Sequence, residues 1–223
     1  MCHRFAAVAL LLVACQGGDE TKSPPPAPAP AAENAVKNAA KKAAKKAAAK
    51  PRRERPADPT HVPVFEADAV RLTGTPPRET SVHVSSQGRA NPTAYVVLGT
   101  HCPTTAKYLE RIAALEKRFA KKVDFIYLYP NRTDTPEAKR EFHAEHGFTG
   151  PLIDDQGANI TLQMRVGRTA EVVLAARDGT IVYRGAIDDS KDPAKVTREH
   201  AAIAIDEHLA GKPVSMPKTQ GTA

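Results

Sequence analysis

The chain has 223 residues, with 32 Lys and Arg against 25 Asp and Glu, and its formal net charge is +7. Eleven of these basic residues and five of the acidic ones fall within residues 1–60, so most of the excess charge lies in that segment and the rest of the chain is close to neutral. The net positive charge of the whole chain therefore says nothing about the charge of a domain that follows residue 60.

The first fifteen residues have the pattern of a secretion signal. A basic start is followed by an apolar stretch, residues 5–14, which is too short to span a bilayer. Leu12-Val13-Ala14-Cys15 resembles a bacterial lipobox, which implies that Cys15 is lipidated and that Cys2 leaves with the signal. The alternative is an ordinary signal peptide with a chance cysteine. With Gln16 after the lipidated position, the resemblance implies an outer-membrane lipoprotein facing the periplasm and anchored by its acyl chains.

Residues 16–60 are predicted to be a tether. Pro24–Pro30 favours extended polyproline geometry, and the Ala- and Lys-rich stretch 35–50 contains good helix formers but no apolar stripe to bury. Two interpretations of the basic run stay open, namely attraction to anionic envelope surfaces and a soluble spacer kept extended by its like charges. No nucleic-acid partner is expected for a secreted chain.

Residues 61–212 are long enough for one domain with a core, followed by a tail, 213–223. In chain order, the apolar periodicity and the turn residues predict these elements: an extra strand at Val82-His83-Val84, a strand at Tyr95–Leu98, a helix at 103–121, a strand at Val123–Tyr129, a helix from Pro136 to His146, a short extended piece at Pro151-Leu152-Ile153, a helical stretch at Asn159–Val166, two strands at Thr169–Ala176 and Thr180–Ile187 joined by Asp178-Gly179, and a closing helix at Lys195–Leu209. This order predicts an α/β fold in which a parallel pair of strands continues into an antiparallel hairpin, with helices on both faces.

Cys102 is the only thiol in the part of the chain expected to fold, so no internal disulfide is predicted. It follows a buried strand and precedes Pro103, which fits the first position of a helix. Cys102 then occupies the N-cap, where unpaired amides and the helix dipole favour the thiolate and lower the pKa. The alternative is a buried cysteine that acts as a small hydrophobic residue.

Three stretches resemble a known family: Cys102-Pro103-Thr104, the Asp154-Asp155 turn, and Glu171–Leu174 with the segment Asp178–Asp189. They resemble the thioredoxin fold, and within it the redoxin-type domains of the alkyl hydroperoxide reductase and thiol-specific antioxidant group. The resemblance implies a thioredoxin-like three-layer α/β/α sandwich with a mixed sheet, no cofactor, and Cys102 as a thiol-dependent peroxidase or thiol–disulfide oxidoreductase centre.

The chain departs from the family pattern at three positions. Thr105 stands where thioredoxin-like oxidoreductases carry a second cysteine, so the chain cannot form a dithiol–disulfide couple by itself and needs an external thiol or disulfide protein as redox partner. Ala170 stands where the pattern has a cis-proline, and a trans bond is expected there. Gly99 replaces the threonine of peroxiredoxins, although Arg168 could supply the charge that orients a peroxide.

The remaining candidate residues surround Cys102. Thr105 could donate to the thiolate, or Thr104 and Thr105 could only pair with helix-end groups. His101 could be a proton shuttle, could stabilise the thiolate when charged, or could be a bystander. Thr169 is expected close to the thiol, and Arg168 could instead be a surface arginine. His143 and His146 have metal-ligand spacing, but with no third ligand evident, no metal is predicted.

Two hypotheses follow from the sequence. The first is an envelope-tethered monothiol redoxin, in which the Cys102 thiolate acts on peroxide or in thiol–disulfide exchange through mixed disulfides. The second is a catalytically degenerate thioredoxin-fold lipoprotein used for binding or assembly. The Cys-Pro helix start favours the first hypothesis, and the missing second cysteine and cis-proline favour the second. Whether the chain is an enzyme stays open at this point.

Overall fold

The computed structural model describes residues 57–220, which lie within one compact unit, Pro56–Ala223. The predicted signal peptide, Cys15 and the tether up to residue 56 lie outside the described residues. Within residues 57–220, no helix combines the length and the apolar character that a membrane crossing requires.

In the described part of the chain, seven strands form one mixed sheet in the order β2-β1-β5-β4-β3-β6-β7. Their bounds are β1 (Glu66–Thr73), β2 (Arg78–Ser85), β3 (Thr93–Val97), β4 (Asp124–Leu128), β5 (Leu152–Ile153), β6 (Glu171–Ala175) and β7 (Ile181–Ala186). The three central strands β3, β4 and β5 are parallel, and the hairpins β1–β2 and β6–β7 continue the sheet antiparallel on either side. The predicted parallel pair with its antiparallel hairpin is confirmed.

Within residues 57–220, five helices pack around the sheet, with bounds α1 (Pro103–Ala106), α2 (Leu109–Phe119), α3 (Pro136–Glu145), α4 (Asn159–Gln163) and α5 (His200–Leu209), and a 3-10 turn covers Pro193–Lys195. Alternate residues of β3 face opposite sides, because side chains alternate along a strand. Val96 packs with the cluster of α2 and α5, whereas Tyr95 packs with the cluster of α4. The predicted α/β/α sandwich with a mixed sheet is therefore confirmed.

The prediction of one continuous helix over 103–121 was wrong. The amides of Lys107 and Tyr108 bond to carbonyls three residues back, at 3.1 and 2.8 Å, which tightens the chain and ends α1 after one turn. Arg111 Nη2 then donates to the Lys107 carbonyl at 2.7 Å from the first turn of α2. Tyr108, which is 2% exposed, enters the core at this kink, so burial of its ring overrides the helical periodicity.

The closing helix begins at His200 rather than at Lys195. The reason is Asp189, whose Oδ1 accepts from the Thr197 amide at 3.0 Å and whose own amide bonds to the Arg198 carbonyl at 3.2 Å. These bonds compete with helix formation and hold residues 196–199 outside the helix. The predicted helix is therefore correct only in its C-terminal part.

The two edges of the sheet hold features that the sequence indicated weakly or not at all. The Val82–Val84 strand is part of β2, one arm of a hairpin of eight-residue strands. At the opposite edge, part of the predicted tail pairs with β7, because the Thr219 amide bonds to the Arg184 carbonyl at 3.0 Å. Gly185 allows this approach, since a Cβ on it would lie 2.1 Å from Thr219 Oγ1.

Candidate active site at Cys102

Cys102 lies where the chain leaves the carboxyl end of β3 and enters α1. Its amide bonds to the Gly99 carbonyl at 3.2 Å, which closes the turn between strand and helix. Its backbone is extended, with φ −84° and ψ 119°, and Pro103 takes the first helical position. The side chain is partly exposed, so its sulfur can be approached from solvent. The N-cap position is as predicted, but α1 has only four residues, and local amides rather than a long helix dipole act on the sulfur.

The polar surroundings of the sulfur favour its ionised form. Burial by itself raises the pKa of Cys102, but hydrogen bonds from the Thr169 hydroxyl, from the Thr105 and Thr104 amides and from the Thr105 hydroxyl outweigh it and hold the pKa below its usual value. The Thr169 contact is the best defined, with 2.9 Å between Sγ and Oγ1. The two amides point toward Sγ without completing a full capping bond.

Thr105 occupies the place of the absent second cysteine. It is fully buried, and its Oγ1 lies 3.4 Å from the Gly99 amide as an acceptor. Because Thr105 also stabilises the thiolate, it both braces the turn and acts on the reactive sulfur. The Thr105 hydroxyl therefore accepts from the Gly99 amide and is also among the groups that lower the pKa of Cys102.

The loop before β6 brings Thr169 to the sulfur. The Thr169–Ala170 peptide is trans, as expected, and Ala170 is held at φ +59° by a 2.7 Å bond from its amide to the Val97 carbonyl. Burial raises the pKa of Glu171, while the Gly167 amide, the Arg168 charge and the Arg168 amide partly offset this. The charge of Arg168 therefore acts on Glu171, and the groups that lower the pKa of Cys102 are the two threonines and the helix amides.

Asp134, which no sequence pattern indicated, braces the turn that carries Cys102. Its side chain is 2% exposed and accepts from the Thr100 amide at 3.1 Å and from Asn131 Nδ2 at 3.3 Å. His101 Nδ1 lies 3.4 Å from the same carboxylate, and the His101 side chain is 81% exposed. Burial raises the pKa of Asp134, but these donors outweigh it and the pKa is lowered. An Asp just before a helix start looks like an ordinary turn residue, so no signal in the sequence marked it.

Gly99 is fixed by the same cluster. A Cβ at this position would lie 2.6 Å from Asn131 Nδ2 and 3.4 Å from the Thr169 methyl group. A threonine there, as in peroxiredoxins, therefore requires the Asn131 side chain to move. The packing of Asn131 in this site therefore fits glycine at position 99 and not the threonine of the family pattern.

The other predicted candidates lie apart from Cys102. His143 is fully buried, with Nε2 2.9 Å from the Gly150 carbonyl and Nδ1 3.1 Å from the Tyr129 hydroxyl, and burial lowers its pKa to about 4. Both ring nitrogens are thus engaged, and the neighbouring His146 packs on Phe142. Within residues 57–220, no group of three or more His, Cys, Asp or Glu side chains is placed to hold a metal ion.

The two aspartates of the Asp154-Asp155 turn have structural roles. Asp154 pairs with the fully buried Lys139 of α3. Asp155 accepts from the Ile160 and Thr161 amides at 3.0 and 2.9 Å and so holds the first turn of α4. This stretch of the family pattern therefore stabilises the fold and contributes no group to the thiol.

Comparison with known proteins agrees with this architecture. A crystal structure of an uncharacterized conserved protein from Geobacillus kaustophilus is 24% identical, with a TM-score of 0.61, over 75% of this chain and 90% of that one. A hypothetical protein from Sinorhizobium meliloti 1021 is 17% identical, with a TM-score of 0.62, over 76% of this chain and 93% of that one. No curated protein sequence matches this chain. The model of the Redoxin family matches residues 58–201, well over half of the sequence, and the chain therefore belongs to the Redoxin family.

Proposed function

We propose that this chain is a monothiol redoxin whose Cys102 thiolate carries out thiol–disulfide exchange with an external partner. The observation that carries the proposal is the surroundings of Sγ. The sulfur is partly exposed, lies 2.9 Å from Thr169 Oγ1, and has a lowered pKa because several donors converge on it. A cysteine retained only for packing needs no such donors.

The chemistry is limited to mixed disulfides by the single sulfur. The Cys102 thiolate attacks one sulfur of a partner disulfide, a new S–S bond forms to Sγ, and the second partner sulfur leaves as a thiolate that takes a proton from solvent. A thiol of another molecule then attacks the mixed disulfide and releases Cys102. Thr105, fully buried at the position of a resolving cysteine, cannot perform the second step.

Peroxide reduction is less well supported at this site. It requires a donor and a cation that orient the peroxide and stabilise the departing hydroxide. Gly99 leaves no side chain for the first task, and the charge of Arg168 acts on Glu171. Disulfide exchange needs neither group, since the leaving thiolate is stable in water.

A second candidate function is binding or assembly without catalysis. Two observations favour it: the hydroxyl of Thr105 fills the place of the second sulfur, and Ala170 forms a trans peptide where the family pattern has a cis-proline. In that case Cys102 is an evolutionary relic, and the protein has no redox partner.

We further propose that the chain is a lipoprotein of the cell envelope, facing the periplasm from the outer membrane. The lipobox-like Leu12–Cys15 segment and the basic stretch before residue 60 support this proposal. Mass measurement of the mature N-terminus tests it, because an acylated Cys15 is expected. An unmodified Cys15 overturns the anchor without affecting the chemistry at Cys102.

Trapping of a mixed disulfide tests the redox proposal. In a chain with Cys2 and Cys15 replaced by Ser, oxidised glutathione is expected to add one glutathione mass to Cys102, and a reducing thiol is expected to remove it. The further change Cys102→Ser should abolish the adduct. A Cys102 that forms no adduct in the folded protein but forms one after denaturation supports the binding module instead.

A further inference from the structure

The exposed charges on the segments around Cys102 have one sign. Lys107 follows α1, Arg132 lies in the loop between β4 and α3, and Arg168 precedes Thr169, and all three side chains are exposed. We call these three residues the cationic rim. In the described segments 99–107, 130–135 and 164–170 the one acidic residue is Asp134, whose side chain is 2% exposed.

The contacts of the site place this rim close to the sulfur. Arg168 adjoins Thr169, whose hydroxyl is 2.9 Å from Sγ. Lys107 is the C-cap of the short helix α1 that Cys102 begins. Arg132 adjoins Asn131, whose amide would lie 2.6 Å from a Cβ on Gly99. Exposed cations on these segments attract an approaching anionic partner over the Debye length of about 8–10 Å.

Two neighbouring charges do not alter this balance. The Glu171 carboxylate offsets Arg168 in part, but it is partly buried and turned toward the Gly167 and Arg168 amides. Arg165, on the same loop, acts on Asp58 and Arg184 and is not counted in the rim. The exposed charges of the described segments 99–107, 130–135 and 164–170 are therefore cations, and those of the rim stand on three separate loops.

We propose that the redox partner of Cys102 is a protein whose reacting disulfide is flanked by aspartate and glutamate residues. This inference rests on the proposed exchange function and names the partner class. Cations that surround a reacting atom raise the local concentration of an anionic partner and repel a cationic one.

The test uses three nine-residue peptides, each with one central cysteine as a mixed disulfide with 2-thiopyridine. The flanking residues are Asp and Glu, Ser and Gly, or Lys and Arg, and the leaving group is the same in all three. At low ionic strength the acidic peptide is expected to react with Cys102 roughly tenfold faster than the basic peptide. High salt should remove most of this difference, because screening acts on exposed charges.

Charge reversal identifies the residues responsible. In Lys107→Glu/Arg132→Glu the ratio of the acidic to the basic rate should fall to about one or below. The matched control is Lys121→Glu/Lys122→Glu, at the opposite end of the strands, just before β4 begins. This control should keep the ratio of the parent chain.

The outcomes separate this inference from the proposed function. If all three peptides react at equal rates, the partner class is wrong while disulfide exchange stands. If no peptide forms a mixed disulfide, the proposed function itself fails. A preference for a small dianionic disulfide, 5,5′-dithiobis(2-nitrobenzoate), without any preference for the acidic peptide overturns the assignment of an acidic protein segment.

Discussion

The hydroxyl of Thr169 offers the sharpest test of how the thiolate is stabilised. Thr169→Val keeps the shape and the β-branch of the side chain and removes the oxygen that lies 2.9 Å from Cys102 Sγ. Because that hydroxyl is one of the groups that hold the pKa of Cys102 down, its removal raises this pKa. The backbone amides of α1 are left in place.

The size of the effect follows from the energy of one hydrogen bond. A bond to a charged group contributes about 1.5–3 kcal/mol, and we take about 1 kcal/mol because the sulfur is partly exposed. At a pH below the pKa of Cys102 this reduces the thiolate fraction about fivefold. A more basic thiolate is also a better nucleophile, by about twofold for a Brønsted coefficient near 0.45. The net rate should fall about 2.5-fold below the pKa and rise about twofold well above it.

The assay is the rate of Cys102 alkylation by iodoacetamide across the pH range, in the chain that lacks Cys2 and Cys15. The two pH profiles, parent and Thr169→Val, are expected to cross. Thr104→Val serves as the control, because Thr104 acts on the sulfur through its amide, which the change preserves. If Thr169→Val reproduces the profile of the control, the hydroxyl does not stabilise the thiolate and our explanation of the site is wrong.

Three further predictions concern the packing. Gly99→Thr should displace the Asn131 amide, which would lie 2.6 Å from the new Cβ, and break its 3.3 Å bond to Asp134, so the free energy of unfolding in urea titrations should fall by about 1 kcal/mol; unchanged stability contradicts this. His143 has a pKa of about 4 in the fold against 6.5 ordinarily, so the unfolded chain binds its proton first. The stability that neutral His143 contributes is therefore complete above about pH 6.5. As the pH falls toward 4, the free energy of unfolding should drop by up to about 3 kcal/mol, and His143→Gln should flatten this drop. Gly185→Ala should cost about 1–3 kcal/mol, since its φ is +147° and its Cβ would meet Thr219, whereas Gly167→Ala, in open space, should cost little.

The sequence predicted the sheet well because its strands are marked by both composition and turns. β4 has a run of buried residues on both faces, as central parallel strands require, and Asp178-Gly179 fixes the last hairpin. The helix starts were less predictable. The helical spacing of the apolar residues predicted a helix that continues through Lys107. The side chain of Tyr108 enters the core at that point, however, and the chain kinks.

The site could be predicted as far as local sequence determines it. Cys102 directly follows the turn after a strand and directly precedes Pro103, so its N-cap position could be predicted from the order of the residues. Asp134 lies more than thirty residues away, and it meets the Thr100 amide only because β3 and β4 are neighbours in the sheet. The role of such a residue depends on strand pairing and burial, which one sequence does not display.

The central claim is that Cys102 is ionised and accessible at a pH where an ordinary cysteine is not. Titration of its thiolate by ultraviolet absorbance tests this directly, in the folded chain that lacks Cys2 and Cys15 and with Cys102→Ser as the blank. We predict a midpoint clearly below the value of about 8.5 for a free cysteine. A midpoint at or above that value contradicts the assignment of Cys102 as the nucleophile of this redoxin.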